Sequence, residues 1–302
     1  MDAAMEYFEK QAAGPVELIG QGMEGAVYDL GGGQVGKVWF NRTPDEVLPL
    51  QEFLDELKAQ DLPFRTPEIS AVDEVGERAV SIEAKLVGTP LSQALESGRV
   101  SQQQGLDMFV DVVAALATTH AGSASRTLPV VEESAPFWRY RVSWGDALAG
   151  LVSRRADKSQ HYLQADVEGF EELVDHVLAK LALLELRNLQ IVHGDICTPN
   201  LLVDDDGRLA LLDWGFYTTA GDNTFDASTA AGFYDMYGPD ARAIDDQLLG
   251  RFEELGHDRG RMYLYRAAYA ITTATIYSED GSDGHYTWCV NNLNREDLRA
   301  AL

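Results

Sequence analysis

Along the chain the spacing of apolar residues changes period more than once. From residue 16 to 40 the apolar residues come in short runs: Val16 to Ile19, Ala26 to Leu30 and Val35 to Phe40. Gly31-Gly32-Gly33 separates the last two, so the pattern predicts an extended segment followed by a β-hairpin. The stretch Gly20-Gln21-Gly22-Met23-Glu24-Gly25 lies between the first two runs. Thr43-Pro44 has the form of an N-cap with proline in the first turn. Leu50, Phe53, Leu54 and Leu57 then share one helical face, and Pro49 is expected to distort the early turns. Ala79 to Val87 alternates again and leads into Gly88-Thr89-Pro90. We place a boundary there, dividing the chain into 1–87 and 88–302. The first part is expected to be β structure with one helix.

Helical spacing dominates beyond that boundary. Ser101 and Gln104 form a capping box, and Leu106, Phe109, Val110, Val113 and Leu116 supply the stripe behind it. Phe170, Leu173, Val174, Val177, Leu178, Leu181 and Leu184 give a second stripe. No period is visible between them, where Phe137, Trp138, Tyr140 and Trp144 are expected to pack the second part. After Leu186 the chain reads as short strands. Ile191 to Val203 and Arg208 to Trp214 are joined by Asp204-Asp205-Asp206-Gly207, read as a solvated hairpin turn.

Composition narrows the possible functions. The 302 residues carry 24 Lys and Arg against 49 Asp and Glu, a formal charge of −25. Such a surface repels phosphate backbones and anionic lipid, which argues against nucleic-acid and membrane partners. The acidity is spread out, with −10 of it in residues 1–87, and reads first as a solvated surface. The acidic start of the chain does not resemble a signal peptide, and the two cysteines exclude a disulfide framework. A cytoplasmic location is expected.

The chemistry concentrates in Ile191-Val192-His193-Gly194-Asp195-Ile196-Cys197-Thr198-Pro199-Asn200, followed by the hairpin and Asp213-Trp214. Paired strands would bring Asn200 and Asp213 to one end of the ribbon, near Asp195. Two carboxylates and a carboxamide converging in this way suit a hard cation, with one carboxylate left to accept a proton.

His193-Gly194-Asp195 with Asn200, then Asp213-Trp214, resembles the catalytic signature of aminoglycoside phosphotransferases and related small-molecule kinases. Gly221-Asp222 and Phe225-Asp226-Ala227 resemble that family's next landmark. The resemblance implies an α+β, bilobal, protein-kinase-like fold, with a small β-rich N-terminal lobe and a larger, mainly helical C-terminal lobe. It implies ATP or GTP as donor and Mg²⁺ as cofactor, Asp195 as catalytic base, and Asn200 and Asp213 as metal ligands. Gly20, Gly22 and Gly25 then fit the kinase glycine loop, and Lys37 the strand lysine that binds phosphate. Glu46, on the inward face of the first helix, is the expected partner of Lys37. Ser81 to Leu86 is the expected hinge, where backbone groups of Glu83, Ala84 and Leu86 would meet the base. His193 is read as structural, and Cys197 as a packing residue.

The acceptor implied is a small-molecule hydroxyl compound, with Asp222, Tyr234, Asp235, Glu279 and Asp280 as candidate contacts and a monomer or dimer as the working form. An aminoglycoside-like antibiotic is the leading acceptor, and −25 of charge is compatible with a cationic one. A metabolic kinase of an amino sugar or amino alcohol is the alternative. A nucleotide-binding pseudokinase is disfavoured, because it has no need of Asp195, Asn200, Asp213 and Lys37 together.

Overall fold

The computed structural model describes residues 2–22 and 24–302, so Met1 and Met23, the latter within the glycine run, lie outside the described residues. The chain opens with α1 (Asp2–Gln11), β1 (Glu17–Gln21), β2 (Gly25–Gly31), β3 (Gln34–Trp39) and α2 (Pro44–Lys58). It continues through β4 (Ile69–Val75), β5 (Arg78–Ala84), β6 (Thr89–Pro90), α3 (Leu91–Glu96), α4 (Gln102–Leu116), α5 (Trp144–Asp166) and α6 (Phe170–Ala182). The chain then runs from β7 (Gln190–Val192) through β8 (Leu201–Val203), β9 (Leu209–Leu211) and β10 (Thr219–Gly221) to α7 (Thr224–Phe233). Helices α8 (Ala241–Glu254), α9 (Arg259–Thr273), α10 (Gly284–Leu293) and α11 (Glu296–Ala301) close the chain.

Two compact units emerge, residues 1–90 with 201–212, and residues 91–200 with 213–302. The first carries an antiparallel sheet in the order β1-β2-β3-β5-β4. One face of this sheet packs against α1, where Phe8 joins Tyr28, Leu30, Val38, Val80 and Ile82 in a buried cluster. The hairpin β8-β9 belongs to this unit, a finer division than a single cut after residue 87. Thr89 and Pro90 pair with Val203 and Leu202, and Arg65 exchanges backbone hydrogen bonds with Leu209 and Leu211.

Several elements depart from the sequence expectation. The N-terminal part has two helices and not one; α1 buries little besides Ala4 and Phe8, a stripe too short to see. Proline 49 leaves α2 continuous from Pro44 to Lys58. The 23-residue α5 shows no apolar period because Gly145, Arg155 and Ser159 stand among its buried positions. Arg155 is tied there to Glu132 and to the Val131 carbonyl, which offsets the cost of burying a cation.

The acidic turn of the β8-β9 hairpin is not simply solvated. Asp204 is buried and accepts from the amides of Asp206 and Arg208 and from the guanidinia of Arg208 and Arg65. Burial works against its charge, but the Arg208 amide and side chain hold the carboxyl below its ordinary value. The aromatic group before α5 does pack inward through Phe137, Trp138 and Trp144, whereas Tyr140 is exposed.

Candidate functional site

In the second unit a short loop joins β7 to the turn Thr198–Asn200 and carries the expected base. The backbone amides of His193 and Gly194 both donate to the buried carboxylate of Asp226, at 2.9 and 2.7 Å. Burial raises the Asp226 carboxyl to about 7 and the two amides act in the opposite direction. Gly194 has φ +77°, and a Cβ there would lie 2.3 Å from Cβ of Tyr217, so only glycine fits. His193 is fully buried against Trp214, and its Nδ1 accepts from the Asp195 amide at 3.1 Å. A ring nitrogen that accepts is unprotonated, so this imidazole orients the loop.

Asp195 and Asn200 meet directly. Asn200 Nδ2 donates to Oδ2 and to the backbone carbonyl of Asp195, both at 3.0 Å. That use of Nδ2 leaves Oδ1 as the oxygen with remaining acceptor capacity. Burial raises the Asp195 carboxyl to about 7, the like charge of Asp213 adds to this, and the Asn200 hydrogen bond opposes it. Asp213 sits at φ +55°, a left-handed conformation costly for a non-glycine residue, which commonly marks functional positions. Gly215 follows at φ +124° with its amide held by Thr218 Oγ1 at 2.8 Å. Burial pushes the Cys197 thiol far up, and both cysteines are free. Cys197 is therefore a poor nucleophile.

In the first unit, Lys37 lies on β3 opposite Ser81 of β5. Its ammonium lies 3.6 Å above the ring centroid of Trp39 and 3.8 Å from Glu24 of the glycine run. The expected pairing with Glu46 is not formed. Glu46 is exposed and accepts from the amide and hydroxyl of Thr43, closing the capping box of α2. Capping the free amides at the helix start outweighs the helical-face argument that placed Glu46 inward. The inward positions of α2 are Val47, Leu50, Phe53, Leu54 and Leu57, all apolar.

The three glycines of the run are not equivalent. A Cβ on Gly25 would lie 2.2 Å from the Val38 carbonyl, whereas nothing lies within 4 Å of one on Gly20 or Gly22. Gly25 is required by strand packing, and the other two remain open to a ligand's close approach. We expect Gly25→Ala to lower stability by about 2 kcal/mol and Gly22→Ala to change it by less than about 1 kcal/mol. Thermal melts of both variants check this.

The expected hinge is partly occupied by sheet hydrogen bonds. Glu83 pairs with both Val35 and Ile69, Ala84 donates its amide to the Glu68 carbonyl, and Lys85 donates its amide to Gly33. The Ala84 amide is thus committed to the sheet, and Leu86 is the first hinge residue beyond it. Among the acceptor candidates, Asp222 is buried and taken up by Tyr265, Arg261 and the Thr224 amide. Tyr234 is buried edge-on to Phe109 with its hydroxyl raised to about 12 by burial. Asp235 accepts from the Gly238 amide in a local turn. Glu279 and Asp280 are exposed, and Asp280 accepts from the Ser282 amide.

Tyr277, which sequence reasoning missed, is half-exposed. Burial raises its hydroxyl, and the charge of Asp195 adds to the rise. No motif marks a lone tyrosine after α9; only its closeness to Asp195 singles it out. Among the described residues no group of three or more His, Cys, Asp or Glu could hold a metal ion, and no helix is long and apolar enough to cross a membrane.

An N-terminal antiparallel sheet and a larger helical part, the architecture of solved aminoglycoside phosphotransferases, mark a kinase-like phosphotransferase. The profile of the phosphotransferase enzyme family, APH, matches residues 15–265, and the chain belongs to that family. It is similar in fold to a thermostable variant of aminoglycoside phosphotransferase APH(4)-Ia in ternary complex with ADP and hygromycin B. That match has 16% identity, a TM-score of 0.72, and coverage of 99% of this chain and 98% of the other. The GDP complex of aminoglycoside 2'-phosphotransferase-IIIa gives 14% identity, a TM-score of 0.63, and coverage of 99% and 97%. The streptomycin–ATP complex of APH(2")-IIa gives 17%, 0.61, and coverage of 97% and 96%. No curated protein sequence matches the chain.

Proposed function

We propose that the protein transfers the γ-phosphoryl group of ATP or GTP to a hydroxyl of a small, cationic, aminoglycoside-like acceptor. The observation that carries this reading is the double hydrogen bond from Asn200 to Asp195, on a loop clamped by Asp226. Asp195 is thereby held as a fixed oxygen pair that can orient a hydroxyl and accept its proton.

The donor set fits Mg²⁺. Oδ1 of Asn200 and the carboxylate of Asp213 are hard oxygens, and Mg²⁺ commonly takes one or two protein oxygens beside phosphates and water. Bound there, it would neutralise the charge of the phosphates. Lys37 would bind phosphate as a point charge, and the open backbone at Gly20 would let phosphate oxygens approach a run whose Gly22 amide already donates to the Gly25 carbonyl at 2.9 Å. Holding donor and hydroxyl in line supplies most of the catalysis in reactions of this kind.

Support for a cationic acceptor comes from exposed Tyr237 and Tyr277 with the exposed carboxylates of Glu279 and Asp280, while Asp283 is taken up capping α10. The relatives solved with hygromycin B and streptomycin add analogy. Thermal-shift titration with Mg-ATP and Mg-GTP tests the nucleotide half. Wild type should be stabilised by several degrees at saturating nucleotide. Asp213→Ala should lose most of that gain, and an unchanged shift would remove Asp213 from the site.

A further inference from the structure

Glu24 stands between two cations at the place where the proposed reading needs phosphate. Its carboxylate lies 2.5 Å from Nη2 of Arg42 and 3.8 Å from Nζ of Lys37. Both cations lie over Trp39, Lys37 at 3.6 Å and Arg42 at 5.2 Å from the ring centroid. Trp39 is itself buried and anchored by its Nε1–H to Ser81 Oγ at 3.0 Å, so the platform is fixed. The backbone of Glu24 is held as well, since its carbonyl accepts from the Phe40 amide at 2.9 Å. With the inward face of α2 wholly apolar, Glu24 is the carboxylate found within ion-pair distance of Lys37 among the described residues.

We propose that Glu24 is an affinity-determining residue, a built-in stand-in for phosphate that competes with the nucleotide for Lys37 and Arg42. The three groups sum to one positive charge, which becomes two if Glu24 is neutralised. A triphosphate displaces the carboxylate from the cations on binding, and Glu24 returns when the nucleotide leaves. The nucleotide thus binds more weakly and is released faster than two unopposed cations would allow. This rests on the reading in which Lys37 binds phosphate.

Charge balance gives the test. Mg-ATP binding is measured by isothermal titration at low salt for wild type, Glu24→Gln, Arg42→Gln, the double variant and Lys37→Met. Partial exposure of the three groups limits the effect, so Glu24→Gln should bind about five-fold tighter and Arg42→Gln about five-fold weaker. The double variant, again carrying one net charge, should lie within about two-fold of wild type. A merely structural Glu24 would make the double variant bind more weakly than either Glu24→Gln or Arg42→Gln alone. Glu24→Asp, whose shorter carboxylate retracts from Lys37, should tighten binding in part even if Glu24→Gln folds poorly. Equal or weaker binding by both Glu24 variants overturns the proposal while leaving the kinase reading intact. Unchanged binding by Lys37→Met, or none by wild type, overturns the reading beneath it.

Discussion

Asp195→Asn should slow phosphoryl transfer by about three orders of magnitude while leaving nucleotide binding within about two-fold of wild type. Asparagine keeps the size of the side chain, and its Oδ1 can still accept from Asn200 Nδ2, so the loop keeps its shape. What it loses is the capacity to take a proton from the acceptor hydroxyl. It also removes the like charge that opposes Asp213, so Mg-nucleotide affinity has no reason to fall. Single-turnover transfer measured beside nucleotide titration separates the two effects. Retention of more than about a tenth of the wild-type rate would show that Asp195 is not the base.

The second large effect falls on stability. Asp226→Ala leaves the buried amides of His193 and Gly194 without partners and opens a cavity beneath the loop, costing about 3 to 5 kcal/mol. A drop of less than about 1 kcal/mol in denaturant melts would contradict the clamp. Asp226→Asn adds a pH signature. The folded carboxyl is raised to about 7, above its value of 3.8 in an exposed setting, so the folded state holds a proton that the unfolded state releases. Wild-type stability from this group is therefore fully present below about pH 4 and declines as pH rises towards about 7. Asparagine does not titrate, so the stability of wild type relative to Asp226→Asn should fall across that window. A difference independent of pH would show that burial does not raise the carboxyl.

Much of this was legible in the sequence where chemistry and local geometry coincide. Thr43-Pro44, the Ser101–Gln104 capping box and the Asp206-Gly207 turn are short-range signals, and each element begins or turns where its signal stands. Asp195, Asn200 and Asp213 stand out in the sequence through their resemblance to a family signature, and the fold brings Asn200 onto Asp195 and the charge of Asp213 near it. What the sequence concealed depends on partners far along the chain. Helix α5 looked aperiodic because the side chain filling a core position there is Arg155, balanced by Glu132 and Glu133. Asp204 reads as a surface residue in an acidic turn, whereas it is buried and ringed by the amides of Asp206 and Arg208 and by the Arg208 and Arg65 side chains, a closure that no periodicity signals. Helical face places Glu46 inward, yet the local capping interaction with Thr43 claims it, and the carboxylate within ion-pair distance of Lys37 among the described residues is that of Glu24. Tyr277 carries no motif.

Phosphoryl transfer to a small-molecule hydroxyl is tested most directly by mass spectrometry of acceptors. Purified protein is incubated with Mg²⁺, ATP or GTP, and a panel of aminoglycosides, amino sugars, amino alcohols, macrolides and peptide antibiotics. At least one hydroxyl-bearing cationic compound should gain the mass of a single phosphoryl group, and Asp195→Asn should form no such product. Tight nucleotide binding with no acceptor phosphorylated by wild type, or equal product from Asp195→Asn, would contradict it.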